Sequence, residues 1–308
     1  MEQYNELNLP DFLINMIQKQ YGVKLSSHII KGYADKRFVT LRVNTLKSDS
    51  GKLEQYLNGL GIEYETVPWN KDAYILKNIS EKEIEKLDIY ENGEIYLQSL
   101  SSMIPPIVLN PKEGEDILDM TAAPGGKTTQ IAALTSNKAH ITACEMNSIR
   151  AERLKYNITK QGASCAYVMQ CDSRNINDLF SFDRILLDAP CSGSGTIAIN
   201  DKNLKAQFTE KLVSKCISAQ TNLLKKAIKI LKPGCEMIYS TCSILEQENE
   251  EIVSKFLKDG GIKIVPIEIE NSADIPLLPV KINGTICVCP NEYFEGFFIA
   301  KIRKIKYN

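Results

Sequence analysis

The feature that most constrains this chain is a change of rhythm near Asp116, where short apolar runs begin to alternate with longer stretches of helical spacing. Asp116–Met120 reads as a strand, and Gly125-Gly126 opens a helix through Leu134. Ala139–Cys144, Ala166–Gln170, Arg184–Leu187 and Glu236–Ser240 read as further strands. A helix from Ser148 has Asn147 as its N-cap and Gly162 as its stop, and a long helix after Lys211 stops at Pro233-Gly234. Ser243-Ile244-Leu245-Glu246 has the form of a capping box for one more helix. Strands joined through helices cross over and lie parallel, so the fold class is α/β, an open doubly wound sheet. Ligands in such sheets bind outside the carboxyl ends of the strands.

Before that change the chain reads as a small α+β unit. Phe12, Leu13, Met16 and Ile17 recur at helical spacing until Gly22 ends the run. Val39–Asn44 alternates with period two and puts Thr40, Arg42 and Asn44 on one face of a strand. A short helix comes next through Leu53, Tyr56, Leu57 and Leu60, then strands near Ile62–Val67 and Ala73–Leu76. The turn signal Asn92-Gly93 places the boundary, giving domains 1–92 and 93–308. A length of 308 residues suits one large domain plus a smaller one, and 44% hydrophobic with 24% charged residues is ordinary globular usage. No apolar run approaches the ~18 residues that span a bilayer, so no membrane partner is expected. Met1-Glu2-Gln3-Tyr4-Asn5-Glu6 lacks an apolar leader, so the nine cysteines are expected to be reduced thiols of a cytoplasmic protein, taken to act as a monomer. Two histidines and no C-x-x-C pair give no expectation of a metal site.

The loop after the first strand is Asp119-Met120-Thr121-Ala122-Ala123-Pro124-Gly125-Gly126-Lys127-Thr128. Its small residues let backbone approach a ligand, and the helix it opens offers unpaired N–H groups. Gly126-Lys127-Thr128 imitates the end of a phosphate-binding P-loop, but the first glycine of that motif is replaced by Thr121. A dinucleotide G-x-G-x-x-G is also absent. Glu145 ends the second strand at about the ~20-residue offset at which a carboxylate takes ribose hydroxyls. Asp172 ends the third strand and Asp188 the fourth. A single acid at a strand end merely caps its loop. An ordered set with one lysine suits a cationic, hydrogen-bond-rich ligand such as S-adenosylmethionine better than a triphosphate.

Leu187-Asp188-Ala189-Pro190-Cys191-Ser192-Gly193-Ser194-Gly195 and Ser240-Thr241-Cys242-Ser243 each place a cysteine just past a strand end. One such cysteine alone reads equally well as a small buried hydrophobe. Two beside a methyl-donor site point to a pyrimidine, whose C5 becomes nucleophilic only when a thiolate adds at C6.

These residues resemble the S-adenosylmethionine-dependent RNA 5-methylcytosine methyltransferases of the Fmu/Sun type. The resemblance runs from Leu9 onward. It covers Leu41-Arg42-Val43-Asn44-Thr45-Leu46-Lys47, Tyr96-Leu97-Gln98, Ser101-Ser102-Met103, A-A-P-G-G-K-T, D-A-P-C-S-G, S-T-C-S and Gly296-Phe297-Phe298-Ile299-Ala300-Lys301. It implies a seven-stranded class I methyltransferase domain whose last strand, near Phe297–Ile302, is antiparallel, preceded by a small RNA-binding domain. By position it implies that Thr121, Ala122, Ala123, Pro124, Gly125, Gly126, Lys127, Glu145, Asp172 and Asp188 hold S-adenosylmethionine, with Arg150 on the ribose side. It implies Cys242 as the nucleophile, Cys191 as the residue assisting loss of the C5 proton and release, and Asp188 as a contact to N3 or the amino group. Pro290-Asn291 departs from the usual Pro-His, the aromatic residue usual after D-A-P-C-S-G-x-G is not obvious around Ala206–Phe208, and no PUA-like or long N-terminal domain is expected.

The implied partner is rRNA or tRNA, with the target base single-stranded or flipped out. A net charge of −1 does not announce this, but eight lysines between 202 and 232 face only Asp201 and Glu210. Arg42, Asn44, Trp69 and those lysines are the candidate contacts, with packing the alternative for Trp69 and a solvated helix face for the lysines. A DNA cytosine methyltransferase would instead use Pro190-Cys191 as its nucleophile, leaving T-C-S without a role. A non-catalytic RNA-binding protein would be expected to have lost one of these groups.

Overall fold

The alternation at Val39–Asn44 builds strand β1 (Val39–Val43) in the computed structural model, which describes residues 8–306. Helix α1 (Asp11–Ala34) precedes it and α2 (Ser50–Gly59) follows it, the latter capped by the Asp49 carboxylate on the Lys52 amide. Strands β2 (Tyr64–Val67) and β3 (Asn70–Leu76), the short helices α3 (Glu81–Ile84) and α4 (Asp88–Glu91), and β4 (Ile95–Leu97) complete an antiparallel sheet of order β2-β3-β1-β4. On one face Leu41, Val43, Leu53, Leu57, Tyr74 and Leu76 close a small apolar core. The other face carries Thr40, Arg42 and Asn44, all buried against the second unit. The sheet's last strand lies beyond Asn92-Gly93, so its chain runs on to Leu97.

Gly22 does not end the first helix. It kinks α1 at φ 73°, and the apolar period resumes through Ile29, Ile30 and Tyr33 to Ala34. Those residues, with Leu9, Leu13 and Ile17, share one core with Phe208, Ile252 and Phe298 of the larger unit. Helix α1 is therefore attached to the large sheet, and Phe208 is occupied in stacking on Phe12 at 5.8 Å between centroids. Contact is close enough that a Cβ on Gly32 would stand 2.0 Å from the Pro290 carbonyl oxygen.

The second unit begins with α5 (Leu100–Leu109) and continues as β5 (Asp116–Asp119), α6 (Gly126–Leu134), β6 (His140–Cys144), α7 (Ser148–Gln161), β7 (Ala166–Met169) and β8 (Phe182–Asp188). Then come α8 (Leu204–Gln207), α9 (Glu210–Ile230), β9 (Leu231–Thr241), α10 (Glu250–Leu257), β10 (Ile262–Val265), β11 (Leu277–Leu278), β12 (Ile286–Val288) and β13 (Phe297–Lys304). Strands β7-β6-β5-β8-β9 are parallel, and β13 joins β9 antiparallel. Beyond β13 lies β10, completing seven strands, and the outer edge of β13 also takes the added pair β12 and β11. The order reverses between β5 and β8, the crevice where an open sheet binds ligand.

Two punctuation marks act differently from expectation. Pro233-Gly234 lies inside β9, where Gly234 takes φ 82° beside an irregularity in its pairing with β8, and α9 has already stopped at Ile230. Ser243–Glu246 is not a capping box, because α10 starts only at Glu250. The Ser243 hydroxyl instead meets Ser194 and Glu248 across the strand ends. Among the described residues no helix is long and apolar enough to cross a membrane.

The seam under α1 can be tested by overpacking. Gly32→Ala should lower stability by roughly 1–3 kcal/mol, read as a lower urea midpoint at unchanged slope. Gly59→Ala, where a Cβ meets nothing within 4 Å, is the control and should leave the midpoint unchanged or slightly raised.

Candidate active site

A cleft of about 760 Å³ opens at the carboxyl ends of β5 and β8, between the two sheets. Thr121, Ala122, Ala123, Pro124, Gly126, Lys127, Asp188 and Cys242 line it from below, and Thr40, Tyr96 and Gln98 line it from the small sheet. Gly125 turns the loop into α6 at φ 110°, with a virtual Cβ 3.0 Å from Leu154 Cδ1. A Cβ on Gly126 would stand 3.1 Å from the Tyr96 ring, so both glycines serve close approach.

Hydrogen bonds to the two strand ends fix the loop. The Thr128 hydroxyl donates to Asp119 Oδ2 at 2.7 Å, and Thr121 Oγ1 donates to the Asp188 carbonyl at 2.7 Å. Burial pushes the Asp119 carboxyl up to about 6, against the pull of Thr128, the Thr121 amide and Lys127. Lys127 Nζ lies 2.7 Å from Asp188 Oδ2, and Ser240 Oγ donates to Oδ1 at 2.8 Å. Burial disfavours the Lys127 ammonium, but Asp188 outweighs it and holds its pKa above the ordinary value.

Glu145, Arg150 and Asp172 stand outside the cleft's lining. Glu145 is buried, accepts from the Asn147 amide at 2.9 Å and lies 3.3 Å from Arg150, which also donates to the Ala123 carbonyl at 2.9 Å. Arg150 thus ties the end of β6 to the glycine loop. Asp172 accepts from Nε and Nη2 of Arg174, which hold its carboxyl below the usual range.

The cysteines meet. Cys191 Sγ and Cys242 Sγ are 2.9 Å apart, with Cys242 facing the cleft and Cys191 behind it. The neighbouring Cys242 thiol, with burial, pushes the Cys191 thiol well up. Their loops cross a third strand end, where Gly195 donates to the Cys242 carbonyl at 2.9 Å and Gly296 donates to the Gly195 carbonyl at 2.8 Å. A Cβ on Gly195 would stand 1.9 Å from the Gly296 oxygen.

Several expected RNA contacts prove structural. Arg42 is 2% exposed; its Nε donates to Gln98 Oε1 at 2.8 Å and its Nη2 to the Gly126 carbonyl and Thr129 Oγ1 at 3.0 and 2.7 Å. Burial lowers its pKa to about 10. Asn44 donates to the carbonyls of Gly93 and Gln161, and Trp69 is buried against Phe294. Alternation placed Arg42 and Asn44 on one face, but which surface that face meets is a long-range fact. Asn291 closes its own turn, its Oδ1 accepting from the amides of Tyr293 and Phe294. Among the lysines, Lys226 and Lys229 pair with Asp178, and Lys232 with Asp183 and Asp116, at the opposite end of the sheet from the cysteines. Lys202, Lys205, Lys211 and Lys215 remain exposed around the start of α9. Sequence reasoning missed Glu248, which bonds the residues next to both cysteines, and Tyr21 and Tyr33, which donate to the carbonyls of Ile244 and Ser194. Apart from Ser243, five residues from Glu248, their partners lie far off in the chain, beyond the reach of any local pattern.

The family described as 16S rRNA methyltransferase RsmB/F matches residues 106–303, and the ferredoxin-like domain described for that group matches residues 9–81. The chain belongs to the RsmB/F methyltransferase family. Within its relatives, the ribosomal RNA small subunit methyltransferase F of Shewanella loihica is 35% identical over 95% of this chain. A 28S rRNA (cytosine-C(5))-methyltransferase of Mus musculus is 33% identical over 96%. The chain spans 62% and 38% of those two proteins' own lengths. The crystal structure of NSun6 from Pyrococcus horikoshii with SFG matches 97% of this chain and 99% of that one, at TM-score 0.86 and 26% identity. The RsmB/F family match thus takes in the glycine loop, the strand-end acids and both cysteines, and the class I methyltransferase fold with a ferredoxin-like unit before it accords with the two sheets.

Because folded Asp119 keeps its proton up to about 6 and the unfolded chain loses it near ~3.9, the folded state binds more protons in that window. Its contribution to stability therefore falls as pH rises from about 4 to about 6. Asp119→Asn, which still accepts from Thr128, should remove that part of the decline in urea midpoints measured across the window.

Proposed function

We propose that this protein transfers a methyl group from S-adenosylmethionine to C5 of a cytosine in rRNA, by way of a covalent bond between Cys242 and C6. The observation that carries the reading is the cysteine pair, 2.9 Å apart, with one sulfur lining a cleft that also holds Lys127 and Asp188. The choice of rRNA over tRNA rests on the names of the relatives.

The residues fit the methyl donor. The glycine loop leaves backbone N–H groups at the start of α6 facing a cleft walled by Tyr96, with Gly126 leaving no room for a side chain. Glu145 and Asp172, fixed by Arg150 and Arg174 at the next two strand ends just outside the cleft's lining, are assigned to its hydroxyl and amino groups where it extends beyond the cleft, and Thr121–Lys127 to its backbone contacts. When bound, the sulfonium supplies an electrophilic methyl group.

The chain's own groups do the rest. Cys242, whose sulfur lines the cleft, attacks C6 as the thiolate. Asp188, already bonded to Lys127 and Ser240, retains lone pairs to accept from the cytosine amino group and orient the ring. Once C5 carries the methyl group, Cys191 as the thiolate takes the C5 proton, the electrons of that C–H bond form the C5=C6 double bond, and the Cys242–C6 bond breaks, returning its electron pair to sulfur. A stacked base shields C5 and C6, so the cytosine enters flipped out or single-stranded. The exposed Lys202, Lys205, Lys211 and Lys215 are assigned to the RNA backbone.

Denaturing gels of variants incubated with rRNA and methyl donor test the roles. Cys242→Ala should abolish both methylation and adduct, whereas Cys191→Ala should leave a protein–RNA adduct that survives denaturation; the reverse pattern would make Cys191 the nucleophile. Calorimetry should show Glu145→Ala weakening S-adenosylhomocysteine about ten-fold or more, since a hydrogen bond to a charged group is worth roughly 1.5–3 kcal/mol. Undiminished affinity would remove Glu145 from the site.

A further inference from the structure

Glu248 is fully buried, and among the described residues no lysine or arginine forms an ion pair with it. A carboxylate in that position is costly unless donors surround it. Its donors come from both cysteine loops. The Ser192 amide donates to Oε1 at 2.7 Å, and the Ser192 hydroxyl donates to Oε2 at 2.6 Å. From the other loop the Ser243 hydroxyl donates to the same Oε2 at 2.6 Å. Gln220 of α9 donates to Oε1 at 3.4 Å and to the Pro190 carbonyl at 3.0 Å. Ser192 is the residue after Cys191, and Ser243 the residue after Cys242. The backbone of Glu248 is itself anchored, its carbonyl accepting from Tyr239 of β9 at 2.5 Å.

We propose that Glu248 is a positioning residue, a brace whose carboxylate joins the two cysteine loops and so sets the separation of the sulfurs. Only a group that accepts from three or four donors at once, at the reach of a glutamate, spans both loops. Aspartate keeps the charge and loses the reach; glutamine keeps the reach, and the serine hydroxyls can turn to accept from its amide. This inference rests on the proposed function for its catalytic consequence, but its geometric part does not depend on which cysteine attacks.

The test reads sulfur spacing without RNA or methyl donor. Phenylarsine oxide bridges two thiols held close together, and mass spectrometry of the peptides counts the Cys191–Cys242 bridge. A Cys191→Ser protein measures capture elsewhere, as at Cys144 and Cys171, whose sulfurs are 3.8 Å apart. Glu248→Ala and Glu248→Asp should lose the bridge while binding S-adenosylhomocysteine with unchanged affinity, which also shows that they fold. Their kcat should fall about a hundred-fold, as for reacting groups displaced by about 1 Å, with KM for RNA little changed. Glu248→Gln should restore the bridge and recover most of the kcat lost in the aspartate variant. Full capture in Glu248→Asp, or loss in Glu248→Gln with retention in Glu248→Asp, would overturn the brace. Should Cys242→Ala prove active while capture behaves as described, the assigned chemistry fails and the brace stands.

Discussion

Strands β8 and β9 run parallel with Asp188 opposite Ser240, and the geometry of the site depends on that register. Parallel neighbours end on the same side of a sheet, so the loops leaving their carboxyl ends must share one edge. Cys191 and Cys242, distant in the chain, are thereby brought to contact, and Ser240 reaches the carboxylate of Asp188. Shifting the pairing by one residue would turn every side chain on one strand to the other face. The antiparallel β13 then lays Gly296 over Gly195, and two glycines are needed because backbone meets backbone there.

The cleft also needs a second wall, and Arg42 attaches it. Its guanidinium reaches from β1 to the Gly126 carbonyl and the Thr129 hydroxyl at the first turn of α6, and lies 5.1 Å over the Tyr96 ring. Planar, forked donors suit this task, whereas a lysine would offer one point of charge. Nε and Nη2 donate to neutral oxygens while Nη1 is buried without a hydrogen-bond partner, and desolvation draws the pKa of the guanidinium down. The glycine loop is in this way bonded to the ferredoxin-like sheet on one side and, through Ala123, Arg150 and Glu145, to the end of β6 on the other.

The legible part of the sequence was local. The β–α alternation, the small-residue loop, the Asn147 and Gly162 caps and the cysteines at strand ends all come from spacing and residue type, and each stands where it was expected. The illegible part depended on distant surfaces. The kink at Gly22 is punctuation that the continuing apolar period overrides, since Ile29 and Tyr33 find a core on the large sheet. Arg42 and Asn44 look like solvent-facing polar residues until another unit covers them. Ser243 has the residue pattern of a cap, yet its hydroxyl has better partners across the strand ends in Ser194 and Glu248. Glu248, inside the run Glu246-Gln247-Glu248-Asn249-Glu250, gives no sign that one of those acids is wholly buried.

Charge is laid out unevenly along the sheet of this chain of net charge −1. Lys226, Lys229 and Lys232 are matched by Asp178, Asp183 and Asp116 at the amino ends of the strands, and Arg184, Lys301 and Arg303 surround Glu236 on that side. Burial alone would raise the Glu236 carboxyl, but these cations draw it down to about 2. Charges paired so closely project little field beyond a Debye length of ~8–10 Å. The exposed lysines 202, 205, 211 and 215 lie around the start of α9, toward the cleft end of the sheet. Net charge therefore conceals an arrangement in which acids neutralise the far end of the sheet while the cleft end keeps exposed cations; the distribution, rather than the sum, sets the field at the cleft.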